Sequence, residues 1–210
     1  MISFKQFLTE ASAFDVEKFY SDCKFTLDFL PDDGKTFLYH GTKSPPSTWE
    51  IKQWKPRVNP RNTPMLVHNK LNNIFSAQFG EPIRNWLFCT GIVDDAFMYG
   101  TPTIIFPIGK FDWVCAQNSD LYDLTTAFIL FRDNAREELG LGKPAEVNDL
   151  ALANLSDLIS DSKWWHNEHL FKCLVSSHEI MLKCDKFYSF NLGCDEVDQV
   201  KEILAARARS

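Results

Sequence analysis

Three separated stretches of this chain each place a chemically capable polar residue in an apolar setting. They are Phe37-Leu38-Tyr39-His40-Gly41-Thr42, Leu87-Phe88-Cys89-Thr90 followed by Ala96-Phe97-Met98-Tyr99-Gly100, and Ser177-His178-Glu179-Ile180-Met181-Leu182. Side chains alternate across a strand, so Ile180, Leu182 and Cys184 take the core face and Glu179 lies opposite with Met181 and Lys183. A carboxylate there is costly unless solvated, paired or set in a cleft. Taken alone, Glu179 reads most simply as the cap of an exposed strand end; in a cleft it would stabilise developing positive charge. His40 suits a backbone-satisfied strand terminus or a ligand contact, and Gly41 tolerates close approach of another group to its backbone. Phe88 and Tyr99 offer π-faces to a flat ligand, and Phe88 serves a core equally well.

The elements that must position these residues follow from periodicity. Val16, Phe19, Tyr20, Cys23, Leu27 and Leu30 have helical spacing, stopped by Pro31 and Gly34. A strand is expected over 35–39. A Pro-rich loop with Pro45, Pro46, Pro56, Pro60 and Pro64 follows. Val67 to Phe79 reads as a helix ending at Gly80, with Arg84 and Asn85 in the approach to a strand over 86–90. A short helix over 94–99 and a strand over 103–108 come next. Ser119 is a suitable N-cap for a helix carrying Leu121, Leu124, Phe128, Phe131, Ala135 and Leu139, and Val147 to Leu158 forms another. Strands are expected over 170–176 and 179–185, and a last helix from Asp195. One α+β domain over 35–210, preceded by an N-terminal helix over 11–34, is the economical organisation.

Composition sets outer bounds. At 210 residues and 45% hydrophobic, the chain can build one substantial core. Eighteen Phe and six Trp suit both a core and ligand stacking. No apolar run approaches the roughly 20 residues that span a bilayer, so no membrane role is expected. A net charge of -6 opposes broad phosphate-backbone binding. Lys52, Lys55, Arg57 and Arg61, interleaved with Trp49 and Trp54, form a local basic stretch that reads first as a solvated loop. The six Cys lack a CxxC pair and fall in apolar runs, so free thiols in a reducing compartment are expected. His166-Asn167-Glu168-His169 has metal-binding residue types without the i, i+4 helix spacing, and is read as opening a strand; no metal is expected.

In order and spacing, the three stretches resemble the nicotinamide-dinucleotide site of the ADP-ribosyltransferase superfamily, on its His-Tyr-Glu side with the poly(ADP-ribose) polymerases and diphtheria toxin. The resemblance covers most of the chain after residue 35. It implies a split β-sandwich with flanking helices and NAD as cofactor. Glu179 would then hold the ribose 2′-hydroxyl and face the oxocarbenium character that develops as the nicotinamide–ribose bond breaks. His40 would contact the adenine-side ribose, the Gly41 backbone the carboxamide, and Thr42 completes a His-Gly-Thr triplet. Phe88 stands where the family places its triad Tyr, Tyr99 where a second aromatic stacks on nicotinamide, and Thr90 at a hydroxyl position. Ser177 occupies the place of the Glu that accompanies arginine targets, so an arginine acceptor is not implied.

Met1 to Glu10 resembles the capsid-targeting peptide of tailed-phage internal head proteins, which is cut after a Leu-x-Glu triplet. Leu8-Thr9-Glu10 before Ala11 fits that pattern, and a short amphipathic helix start fits it too. Together the resemblances imply a mono-ADP-ribosyltransferase packaged in the virion head. It would meet the phage capsid during packaging and then enter the host bacterial cytoplasm with the genome. Its acceptor would be a host protein, with nucleic acid as the other class. An NAD glycohydrolase, an RNA 2′-phosphotransferase relative, and an inactive internal head or anti-defence protein on the same fold are the competing readings.

Overall fold

A computed structural model describes residues 14–58, 63–117, 124–140, 143–176 and 179–207. The targeting peptide and Ala11, the Ser119 cap with Leu121, and Arg61, Ser177 and His178 lie outside the described residues. Asp15 opens the first helix by accepting the Lys18 N–H with its side chain. The helix expected to run on to Leu30 divides at Cys23 into α1 (Val16–Asp22) and α2 (Lys24–Phe29). The Asp22 carbonyl that would receive the next helical bond instead accepts the Gly109 N–H at 2.8 Å. The Thr26 hydroxyl donates to the Pro107 carbonyl at 2.7 Å, so the second piece is tied to a strand end.

Eight strands form two four-stranded antiparallel sheets among the described residues. The first has the order β1-β4-β8-β2, with β1 Leu38–Thr42, β2 Trp49–Gln53, β4 Thr101–Pro107 and β8 Lys186–Asn191. The second has the order β3-β7-β5-β6, with β3 Leu87–Cys89, β5 Asp112–Ala116, β6 Trp164–His166 and β7 Ile180–Lys183. This is an α+β chain, as expected. β2, β5, β6 and β8 were not foreseen. β2 fits between prolines rather than over them, as an edge strand beside β8.

On the first sheet Ile104, Phe106, Tyr188 and Phe190 share a face, where Phe14 and Phe19 pack edge-on against Phe190. The second sheet is covered on both sides. Ile180, Leu182, Trp113 and Cys115 join the core shared with the first sheet, whereas Met181, Val114 and Ala116 face a second core. That second core is built with α3 (Met65–Phe79), α5 (Leu124–Glu138) and α6 (Pro144–Asp161). α4 (Val93–Phe97) follows β3, and α8 (Asp195–Arg207) packs on β8.

Three expectations are corrected. The stretch over 170–176 is a helix, α7 (Leu170–Val175), because Leu170, Cys173 and Leu174 form its buried stripe and Phe171 and Val175 are exposed. Cys115 and Cys173 form a disulfide, β5 and α7 bringing their Cα atoms to 6.3 Å; Cys23, Cys89, Cys184 and Cys194 are free and buried. His166 closes β6 rather than opening a strand. Asn167 and His169 turn with φ of 56° and 55°, and the Asn167 side chain bonds Asp112 and the Trp113 N–H. Among the described residues no group of three or more His, Cys, Asp or Glu could hold a metal ion. Among them, too, no helix is long and apolar enough to cross a membrane.

Candidate functional site

The two sheets are joined where Tyr39 of β1 and Thr90, just beyond β3, exchange both backbone hydrogen bonds, at 2.8 and 2.9 Å. Beside this isolated bridge a cavity of about 340 Å³ opens at the seam. That is within the range of small-molecule clefts. His40, Gly41, Thr42, Phe88 and Tyr99 all line it. Residues far apart in the chain therefore converge on one cavity, and Glu179 is not among the residues that line it.

His40 is seated by the seam. Its Nδ1 lies 2.8 Å from the Phe88 carbonyl oxygen. A carbonyl only accepts, so Nδ1 carries the proton and Nε2 is left as an acceptor. Burial holds the imidazole below its ordinary pKa; the Phe88 carbonyl opposes this, and Lys52 and Arg57 reinforce it. The ring is a neutral hydrogen-bond acceptor at neutral pH.

Gly41 has two roles. Tyr39 directs its amide and carbonyl toward Thr90, and alternate residues of a strand direct theirs to the same side. The Gly41 amide and carbonyl therefore point to the open edge of β1 rather than to β4. The absent side chain has a further cause, which the expectation of ligand approach did not include. A Cβ would strike the Ala96 carbonyl oxygen and come to 2.8 Å from the Tyr99 Cβ, so only glycine lets the turn after α4 sit on β1. Gly100, at φ 144°, completes that turn against Thr42.

The acid is held from two sides. The Tyr99 hydroxyl donates to Glu179 Oε1 at 3.2 Å, and Arg84 Nη1 donates to Oε2 at 2.9 Å. The Glu179 side chain is 11% exposed and that of Arg84 is 1% exposed. Glu179 is thus neither a solvated strand cap nor remote from the cavity: it is bonded to one of the lining residues. Tyr99, expected to stack, spends its hydroxyl on fixing the carboxylate.

Phe88 differs from a free stacking ring. The Arg84 guanidinium carbon lies 4.3 Å from its centroid and that of Arg57 4.6 Å. Thr90 is buried, its hydroxyl accepts the Ile92 N–H at 3.1 Å, and it lies outside the cavity lining. It serves the seam and the start of α4.

Sequence reasoning left Arg84 in an approach to a strand and Arg57 in a solvated loop. Both are brought in by one tie: the Arg57 N–H donates to the Asn85 carbonyl at 2.8 Å, fastening the loop to the 3₁₀ turn Ile83–Asn85. Trp54, Lys55, Arg57 and Trp86 line the cavity, with Lys43 on its β1 side. The interleaved Trp and basic residues of that loop were the visible signal. Comparison of the chain with protein-family models, with curated proteins and with solved structures finds no match in any of the three.

Proposed function

We propose that this chain is an NAD-dependent mono-ADP-ribosyltransferase on an ADP-ribosyltransferase-like split sandwich. The observation that carries the reading is the paired restraint of Glu179, by Tyr99 and Arg84, behind a cleft lined by His40 and Gly41. Breaking the nicotinamide–ribose bond requires a fixed negative charge near the anomeric carbon and an acceptor for the ribose 2′-hydroxyl. An ionised carboxylate has about four lone-pair sites. The Tyr99 and Arg84 bonds, one to each oxygen, do not by themselves exhaust those sites. The neutral His40 Nε2 can accept from the second ribose. The edge-facing Gly41 amide and carbonyl match the complementary groups of a carboxamide. Lys43, Lys55 and Arg57 give the cleft a positive lining in a chain of net charge -6, suited to a pyrophosphate.

That same lining favours one other reading, an RNA 2′-phosphotransferase relative. Arg84 does not add to it, because its guanidinium is committed to Glu179. Incubation of the protein with isotopically labelled NAD and bacterial lysate separates the outcomes. Label on protein supports transfer to a host protein, and label on nucleic acid moves the acceptor class. Free ADP-ribose supports a glycohydrolase. No cleavage of NAD overturns the proposal, leaving the phosphotransferase or a non-catalytic head protein.

The setting we propose is a phage virion head, followed by the host bacterial cytoplasm. It rests on Leu8-Thr9-Glu10 and Ala11. Intact-mass analysis of protein recovered from virions is expected to find Ala11 first; retention of Met1 overturns the cleavage.

A further inference from the structure

Resting on the reading above, we infer that Arg84 is a positioning residue for the reaction, acting through Glu179 and not on the ligand. At 1% exposure its side chain does not present a surface to the cleft. Three restraints fix its guanidinium. Nη1 donates to Glu179 Oε2 at 2.9 Å. The planar group lies 4.3 Å from the Phe88 centroid. The turn beneath it is pinned by Ile83, which is wholly buried, and by Asn85, whose Oδ1 accepts from Asn72 Nδ2 at 2.9 Å and lies 3.0 Å from His68 Nε2.

A buried guanidinium is costly unless paired, and the Arg84 Nε has no hydrogen-bond partner among the described residues. Among the described residues, the fold pairs this cation with the candidate acid. The arrangement also accounts for Phe88. An aromatic face against Arg84 is what that position supplies, and a hydroxyl is not needed to restrain Glu179 because Tyr99 provides one from the opposite oxygen.

The test is a double-mutant cycle in steady-state NAD cleavage with R84M, R84K, E179Q and R84M/E179Q, each checked for fold by circular dichroism. R84M is expected to lower kcat about 10-fold or more with KM unchanged, as loss of a charge-assisted bond implies. R84K should recover part of that loss. In the E179Q background R84M should change kcat little, because the residue through which it acts is already disabled. Full multiplication of the two effects, or a raised KM at constant kcat, overturns the assignment. Should R84M fail to fold, R84K and R84K/E179Q run the same cycle. A wild type that cleaves no NAD overturns the proposed function and this assignment with it. A wild type that cleaves NAD while the effects multiply overturns the Arg84 assignment alone.

Discussion

The Tyr99 hydroxyl donates to Glu179 Oε1 at 3.2 Å although the two residues lie 80 positions apart. Tyr99 comes from the turn after α4 and Glu179 from the residue just before β7, so the bond links a helix packed on the first sheet to the approach to a strand of the second. Loss of the hydroxyl alone should therefore loosen the acid without removing the ring. Y99F is expected to lower NAD cleavage about 10-fold, in line with a hydrogen bond to a charged group. Y99A should lower it further. Equal activities of Y99F and wild type would remove the hydroxyl from the account.

Gly41 allows that geometry. In G41A the new Cβ meets the Ala96 carbonyl and the Tyr99 Cβ, so the α4 turn must lift. A stability loss of about 1–3 kcal/mol is expected from such overpacking, together with reduced cleavage as Tyr99 moves from Glu179. Urea unfolding and NAD turnover on the same preparation check both. An unchanged midpoint would show that the turn is not seated on β1 as described.

Two histidines make stability depend on pH in a defined direction. Burial holds His40 and His68 below the ordinary imidazole value; hydrogen bonds to the Phe88 carbonyl at His40, and to Asn85 and the Arg57 backbone at His68, oppose this, while the charges of Lys52 and Arg57 at His40 and of Arg84 and Arg57 at His68 reinforce it. The unfolded chain therefore takes up protons first as pH falls through 6.5, while the folded state resists them. Their contribution is complete above that pH and is lost below it. The urea midpoint should drop between about pH 7.5 and pH 5.5. A midpoint that rises over that interval would contradict the buried, neutral state of both rings.

The Cys115–Cys173 disulfide closes a 58-residue separation. Loop-closure entropy for that length corresponds to roughly 4 kcal/mol. Unfolding with a reductant present should show a correspondingly lower stability than unfolding without it. C173S, compared under both conditions, should lose the difference.

Much of the site was legible because each candidate residue interrupts an apolar strand: His40 after Phe37-Leu38, and Glu179 before Ile180-Met181-Leu182. The helices over 65–79 and 144–161 were legible because their buried residues repeat with helical spacing. Other features depend on pairings that no local pattern carries. β2 is an edge strand amid prolines, and β5 acquires its place only by pairing with β6 and β7. In α7 the alternating Phe171, Cys173 and Val175 imitate a strand, yet only Cys173 of the three is buried. The pairing of Arg84 with Glu179 was not legible because nothing near Arg84 in sequence signals that a residue 95 positions away will meet it.

The central claim is that Glu179, held between Tyr99 and Arg84, supplies the negative charge against which a nicotinamide–ribose bond breaks. The most direct test is nicotinamide release from NAD by wild type and by E179Q, with unfolding curves for both. Release by the wild type, lowered at least ~10²-fold in E179Q with little loss of stability, is the expected result for removal of one electrostatic stabiliser. No release by the wild type, or equal release by the two, would contradict it.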